Sequence, residues 1–153
     1  MKRLLFVLFA AALYQPMAFA VLGQHESNIS TNEKVKLIAK SHTNIQSSCY
    51  NTHNLELSGT TLIEYSVPSG QVFAASWRGI KTPDLSVVFG SYYDEYKAAR
   101  ENMNISKGQR VISVKSDNFI VSSGGQMRNM HGFGYIPALV PVCADINKLG
   151  GSK

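Results

Sequence analysis

Residues 123–128, which read SGGQMR, form the first stretch whose residue types and spacing could bind a ligand. Consecutive glycines leave backbone N–H groups free to surround an anion, and a guanidinium adds a two-pronged contact to phosphate or carboxylate. Gly124, Gly125, Gln126 and Arg128 are therefore candidate ligand-binding residues. A bulge or tight turn in a sheet is the commoner reason for such glycines. The motif also lacks the lysine and hydroxyl residue that end a P-loop.

Glu64 is a further candidate because it lies in the middle of an apolar run. A charge at such a place normally lies on the wet face of a strand, and we expect Glu64 to be exposed or ion-paired. If it pointed inward, it would need Arg78 or Arg128 as a partner. Paired with Asp84 or Asp94, it could act as acid and base, which would make the protein a hydrolase.

Other catalytic chemistry has little support. The four histidines lack the short spacing that places two metal ligands on one helix face or turn; they are His25, His42, His53 and His131. No G-x-S-x-G elbow is present, and a nucleophilic Cys49 would need an oriented base. We predict no catalytic residue, no metal and no cofactor. Tyr93 is a further ligand-binding candidate, because it lies outside the apolar helix face described below and is expected to be exposed.

The first twenty residues read as a targeting signal. Lys2 and Arg3 precede an apolar run over residues 4–14, and Ala18 and Ala20 supply the small residues of a cleavage site. We expect cleavage after Ala20, a single domain over residues 21–153, and a periplasmic or secreted location. The apolar run is too short to span a membrane, and no later stretch is long and apolar enough to do so.

Net charge and cysteine content further limit the functions and the disulfide bonding that we expect. Removing Lys2 and Arg3 from the 15 basic residues leaves 13 against 10 acidic ones, a formal charge of +3. The basic residues are scattered without interleaved aromatics, so nucleic-acid binding is not expected. Two cysteines in an exported chain predict a disulfide between Cys49 and Cys143, worth roughly 4 kcal/mol for so long a loop. Two buried free thiols are the alternative.

The elements of the first half follow from alternation and turn residues. His53, Leu55 and Leu57 alternate with polar residues, which predicts a strand with one buried face. Strands over residues 60–67 and 71–77 follow, with turns at Ser58-Gly59 and Pro68-Ser69-Gly70. Residues 21–40 predict a weak helix, and one or two short extended pieces are expected within residues 41–57.

A helix start is well marked at Thr82-Pro83-Asp84, with Thr82 as the N-cap. Apolar residues then recur every three or four positions, which is typical of a helix packed on a sheet; they are Leu85, Val88, Phe89, Tyr92, Tyr96 and Ala99. Gly90 falls inside this predicted helix at a cost of about 1 kcal/mol relative to alanine. We expect close approach of the helix to the sheet as the compensation.

The second half predicts another hairpin, over residues 110–116 and 118–123, turning at Asp117-Asn118. An extended piece over residues 126–136 is expected to be broken by Gly132 and Gly134, and two prolines make the end irregular. The sum predicts an α+β fold. It would hold an antiparallel sheet of about five to six strands in two meanders, with one or two helices on one face.

Two blocks of the chain resemble an uncharacterised family of exported proteobacterial proteins with a signal peptide, known only as a domain of unknown function. The first block matches at Gly59-Thr60, Glu64-Tyr65, Pro68, Gly70, Val72-Phe73-Ala74, Trp77, Gly79, Pro83-Asp84-Leu85, Gly90 and Tyr92. The second matches at Ser123-Gly124-Gly125, Met127-Arg128, Gly134-Tyr135, Pro137 and Leu139. The resemblance implies export and brings no assigned activity or catalytic residue.

We therefore expect an exported protein that binds or scaffolds rather than catalyses, with an envelope protein or a small anionic ligand as its partner. A hydrolase that acts on an envelope polymer through paired carboxylates is the first alternative. A secreted protein inhibitor, presenting the loop of residues 78–82, is the second.

Overall fold

Seven antiparallel strands form one sheet in the computed structural model, which describes residues 22–25, 39–46, 48–104, 108 and 110–150. The strands are β1 (Ala39–Gln46), β2 (Asn51–Leu57), β3 (Thr60–Ser66), β4 (Val72–Gly79), β5 (Val111–Lys115), β6 (Ile120–Gln126) and β7 (Asn129–Tyr135). Their spatial order is β1-β2-β3-β4-β7-β6-β5. Two meanders thus meet at β4 and β7, and the predicted α+β class is confirmed.

The predicted turns join the strands. Ser58 and Gly59 both take positive φ, 37° and 89°, between β2 and β3. Gly70, with φ 95°, closes the β3–β4 hairpin, where its N–H donates to the carbonyl of Val67. The β5–β6 turn is held by the Ser116 N–H, which donates to the carbonyl of Phe119. Local turn chemistry therefore sets the strand pairing in each hairpin.

The predicted helix is present but divided. It comprises α1 (Leu85–Phe89), a 3₁₀ turn (Gly90–Tyr92) and α2 (Tyr93–Glu101). Thr82 is not the N-cap, because Asp84 has that role and its carboxylate accepts the Ser86 N–H. Gly90 does not sit within a continuous helix either. Its φ of 49° ends α1, which is a conformation that glycine takes at little cost.

The 3₁₀ turn also changes which residues face the sheet. Val88, Phe89 and Tyr96 are buried in the main core, as the apolar spacing predicted. Tyr93 is half-buried against that core, with its ring 6.3 Å from Tyr96, so the expected exposure of Tyr93 is wrong. A 3₁₀ turn advances about 120° per residue instead of 100°, which rotates Tyr93 toward the protein.

Both faces of the sheet are covered. The helix face, which carries Leu62 and Trp77, packs against α1 and α2. The opposite face, which carries Tyr65 and Phe73, packs against side chains between Leu139 and Leu149; we call residues 136–150 the strap and this face the strap face. The strap contains a 3₁₀ turn (Pro137–Leu139) and a short helix α3 (Ile146–Gly150), which the irregular end expected from two prolines did not include.

The predicted disulfide is confirmed. Cys49 and Cys143 are bridged with their Cα atoms 5.9 Å apart, across 94 positions of sequence. Cys49 lies just before β2 and Cys143 lies within the strap. The bridge therefore fastens the strap to the start of the first meander.

Strand β7 is continuous through Gly132 and Gly134, so the expected break is wrong. Trp77 lies directly over Gly132, where a Cβ would meet the indole ring at 2.1 Å. At Gly134 a Cβ would meet Phe89 at 3.2 Å. These glycines extend the strand because they leave room for aromatic rings on the helix face.

The expected signal peptide and its cleavage site lie outside the described residues, as does most of the helix predicted within residues 21–40. At its end, Ala39 and Lys40 begin strand β1 instead. Near its start, the Leu22 N–H donates to the carbonyl of Val88, and the Gly23 N–H donates to that of Val72. No helix among the described residues is long and apolar enough to cross a membrane.

Candidate functional site

A groove of about 430 Å³ opens at one end of the helix face. Arg100, from the last turn of α2, and Arg110, just before β5, contribute its two positive charges. Both side chains are exposed, and neither forms an ion pair with a described residue. The groove therefore offers two guanidinium groups to whatever enters it.

The predicted glycines build this groove through close backbone approach. Gly124 pairs with Val111 in the β5–β6 ladder, and a Cβ on Gly124 would lie 2.5 Å from the Arg110 carbonyl oxygen. The Gly125 N–H donates to that same carbonyl at 3.1 Å. This N–H is therefore engaged within the sheet. The glycines hold Arg110 in place, and the arginine side chains supply the donors that an anion would need.

The rest of the lining is hydroxyl-bearing and apolar. Thr82 and Ser123 add hydroxyl groups, while Leu85, Ile112 and Met130 supply an apolar floor. No carboxylate contributes to the lining. Such a surface can hold an anionic group by charge-assisted hydrogen bonds and an attached apolar body by burial.

The other members of the predicted SGGQMR site lie elsewhere. Gln126 ends β6, and Arg128 occupies the β6–β7 turn with a positive φ of 65°. Both are exposed and neither lines the groove. Tyr93 packs on the helical side of the core instead. The structure thus brings Gly124 and Gly125 together with Arg100 and Arg110, and it separates them from Gln126, Arg128 and Tyr93.

Glu64 corrects the expectation of an exposed or ion-paired carboxylate. It is only 3 % exposed, on the helix face, and its Oε2 has no hydrogen-bond partner among the described residues. Arg78 lies opposite Thr61 in the β3–β4 ladder. Thr61 is three residues from Glu64, so Thr61 and Arg78 point to the strap face and Glu64 to the helix face. Arg128 lies in the β6–β7 turn. Burial raises the pKa of Glu64 from its ordinary 4.5 to about 8. The side chain is therefore protonated and neutral at pH 7.

Glu64 belongs to a block of four buried polar residues on β2 and β3. His53 lies directly across from Glu64, and Asn51 lies across from Ser66. His53 Nε2 lies 3.3 Å from Ser66 Oγ, within hydrogen-bond distance, whereas Asn51 Oδ1 has no partner among the described residues. No three His, Cys, Asp or Glu side chains in the described part of the chain gather as a metal site would require. The block is a buried polar cluster in which Glu64 Oε2 and Asn51 Oδ1 have no partner among the described residues.

A second, smaller cavity of about 140 Å³ lies on the strap face. Arg78 and His131, which are opposite each other on β4 and β7, line it together with Tyr65 and Leu149. The Tyr65 hydroxyl donates to the Leu149 carbonyl at 3.4 Å, which fastens α3 over this cavity. Its volume suits a few water molecules better than an organic ligand.

Sequence reasoning missed the two arginines of the groove. Arg100 reads as an ordinary solvated residue of α2, and Arg110 as the polar start of a strand. Only the pairing of Val111 with Gly124 places Arg110 beside the glycines. The Gly124-Gly125 pair was the available signal, and it located the groove without identifying its charges.

A family model described as "Protein of unknown function (DUF2844)" matches residues 18–149. No curated protein and no solved structure matches the chain. The match includes both meanders, the divided helix and the groove.

Proposed function

This chain belongs to the DUF2844 family of proteins of unknown function, and from its groove we propose that it is an exported, non-catalytic binding protein for a small anionic ligand. The main observation behind this proposal is that the exposed guanidinium groups of Arg100 and Arg110 line a groove with an apolar floor. The ligand class is a carboxylate or phosphate joined to an apolar body.

Groove size and charge support this role. About 430 Å³ falls within the range of roughly 300–1,000 Å³ found for small-molecule sites. Arginine binds carboxylate and phosphate through two parallel hydrogen bonds, and the lining holds no acidic side chain that would compete. A neutral ligand would leave both charges without a counterion.

Export is supported by two independent features. Residues 1–20 have the basic, apolar and small-residue order of a signal peptide. The Cys49–Cys143 bridge is typical of proteins in an oxidising compartment. We propose that the mature chain starts after Ala20 and works in the periplasm or outside the cell, where an envelope protein would be the scaffolded partner.

The hydrolase alternative has less support. Asp84 is exposed and engaged as the N-cap of α1, and Asp94 is exposed in the first turn of α2. Glu64 is buried on β3, and neither cavity described above is lined by a carboxylate. Acid–base hydrolysis of a glycoside needs two carboxyl groups across one cleft, so this dispersal favours binding.

A protein inhibitor is the second candidate because of the loop after β4. Ile80 and Lys81 are exposed, yet the Ile80 N–H donates to the Gly59 carbonyl and Thr60 Oγ1 donates to the Lys81 carbonyl. An exposed and fastened loop is what such an inhibitor presents. A stable complex with one envelope protein, lost in Ile80→Ser, would favour this role.

The test is a titration with decyl phosphate, below its micellar concentration, followed by isothermal calorimetry. We expect binding to the wild type and about a tenfold weaker Kd in Arg100→Gln, because one charge-assisted contact is lost. Lys97→Gln on the same helix removes an exposed charge outside the groove and should leave Kd unchanged. Decanol, which lacks the anion, should bind far more weakly.

Equal Kd values for the wild type, Arg100→Gln and Arg110→Gln would contradict the proposal, as would equal binding of decanol. Thermal unfolding of each variant checks that the fold is retained.

A further inference from the structure

One end of the sheet collects exposed apolar and basic side chains from four separate turns. The Ile80 N–H donates to the Gly59 carbonyl, Gly79 pairs with Met130, and Gly125 pairs with Met130 beside the β6–β7 turn. The Gly125 N–H in turn donates to Arg110. We call the eight residues gathered in this way the basic end; they are Ser58, Gly59, Ile80, Lys81, Arg110, Val111, Met127 and Arg128.

Apolar side chains protrude here. Four large hydrophobic side chains among the described residues are exposed, and three belong to the basic end: Ile80 (53 %), Val111 (48 %) and Met127 (94 %). The fourth, Val142 (107 %), lies in the strap beside Cys143. Exposed apolar groups gathered at one place mark an interaction surface, whereas a single exposed one needs no explanation.

The charge of this end has one sign. Lys81, Arg110 and Arg128 are its only ionisable residues among those eight, and all are basic. The acidic residues nearest to it in the described sequence lie outside these eight: Glu56 accepts from the Thr61 hydroxyl, and Asp84 caps α1. From Gly59 to Val111 the end spans β3, β4, β7, β6 and β5, which at normal strand spacing is about 19 Å.

We propose that the basic end docks this protein on an anionic lipid bilayer. Ile80 and Met127 enter the headgroup layer, and Lys81, Arg110 and Arg128 contact lipid phosphates. Apolar side chains ringed by Lys and Arg are the composition that binds anionic membrane surfaces. Protein interfaces are enriched in aromatic side chains and depleted of lysine, whereas the basic end contains Lys81 and has no aromatic residue among its eight.

This inference goes beyond the proposed ligand groove and can fail independently of it. Arg110 belongs to both, so the groove opens beside the docking surface. Ile80, Lys81, Met127 and Arg128 do not line the groove. Variants at these four positions therefore test the docking surface alone, and Arg100→Gln tests the groove alone.

The experiment is co-sedimentation of the purified protein with vesicles of phosphatidylcholine, with and without phosphatidylglycerol. We expect binding only to the anionic vesicles, weakened by added salt. Lys81→Gln/Arg128→Gln should lower the affinity about tenfold or more, because each basic residue near an anionic surface adds appreciable attraction. Ile80→Ser/Met127→Ser should lower it by a similar factor. Lys115→Gln and Val142→Ser, a charge and an apolar group away from this end, are the matched controls.

Equal binding to neutral and anionic vesicles would overturn the proposal, as would end variants that bind no more weakly than the controls. Loss of vesicle binding only in Arg100→Gln would overturn it in favour of lipid capture by the groove. If the end variants lose a co-purifying protein and the wild type ignores vesicles, the surface belongs to a protein partner and the proposal is wrong. Met127→Ser alone, at a turn and almost fully exposed, repeats the test should the double variant fold poorly.

The same Lys81→Gln/Arg128→Gln variant should bind decyl phosphate as the wild type does. Vesicle binding without decyl phosphate binding would support the membrane-docking proposal and contradict the proposal that the groove binds an anionic ligand. Decyl phosphate binding without vesicle binding would contradict the membrane-docking proposal and support ligand binding by the groove.

Discussion

The helix face carries two polar regions that differ in almost every physical respect. In the groove, Arg100 and Arg110 are open to water and have no ion-pair partner among the described residues. On β3, Glu64 is buried with no cationic partner among the described residues and is mostly neutral at pH 7. Solvent access decides the difference, because desolvation penalises the charged form. A charged side chain in water is available for binding, whereas a buried ionisable side chain affects stability.

The largest expected effect tests the buried side of this comparison. Because the pKa of Glu64 rises from 4.5 to about 8 on folding, the unfolded state loses a proton first as pH increases. The contribution of Glu64 to stability should be fully present below pH 4.5, should be lost between pH 4.5 and 8 by up to about 5 kcal/mol, and should then stay constant. Glu64→Gln, which does not ionise, should remove most of this fall in urea unfolding measured across the pH range.

Glu56→Gln is the matched control, since Glu56 is an exposed carboxylate on the neighbouring strand β2. Its pH profile should follow that of the wild type. Parallel profiles for the wild type and Glu64→Gln would show that Glu64 is not the titrating group, and the contrast between the two regions would then fail.

A moderate effect is expected where the groove depends on backbone approach. In Gly124→Ala the new methyl group would lie 2.5 Å from the Arg110 carbonyl oxygen, so β5 must shift. We expect a loss of about 1–3 kcal/mol in unfolding free energy, with weaker decyl phosphate binding because Arg110 moves. Gly108→Ala, whose Cβ would meet nothing within 4 Å at a φ of 89°, shows the cost of backbone strain alone, whereas Gly124 has no positive φ and its loss would come from crowding. Unchanged stability and binding in Gly124→Ala would contradict this account.

The smallest expected effect is on stability and concerns the solvent-exposed groove. Arg100→Gln should change the free energy of unfolding by no more than about 0.5 kcal/mol, as surface substitutions usually do. Denaturant unfolding at pH 7 measures this. A much larger loss would mean that Arg100 has a structural role, and its lowered ligand affinity could no longer be assigned to the groove.

The part of the fold set by local chemistry was predictable from the sequence. Ser58-Gly59 and Pro68-Ser69-Gly70 form the expected turns, and the apolar spacing of Val88, Phe89 and Tyr96 gives the buried helix face. The Cys49–Cys143 pair followed from an even cysteine count. Each of these depends on residues close in sequence or on a single possible pairing.

Glu64 was mispredicted for a definable reason. A charge was assigned to the wet face of β3, yet the strap covers one face of the sheet and the helices cover the other. A strand buried on both sides has no wet face, and alternation no longer tells where a polar residue points. The covering segment lies some seventy or more positions further along the chain, which no local pattern reports.

The candidate site was predictable only in part. Gly124-Gly125 pointed to the right strand, but the meeting of Arg100 with Arg110 depends on how α2 and β5 lie on the sheet. Thr82 illustrates the same limit on a small scale, because Asp84 competes for the N-cap two residues later and accepts the Ser86 N–H. The packing of α2 and β5 on the sheet, and the choice between Thr82 and Asp84 as N-cap, depend on tertiary contacts that the local sequence does not specify.

The disulfide has a consequence for how the chain matures. A ribosome makes Cys143 94 positions after Cys49, so the bond cannot close until nearly the whole domain has been synthesised. Because the sequence has two cysteines, it allows a single intramolecular bridge, Cys49–Cys143, and no wrong pairing within one chain. Within one chain the bridge therefore needs an oxidant but no reshuffling, and a closed bond marks a molecule whose Cys143 has been synthesised.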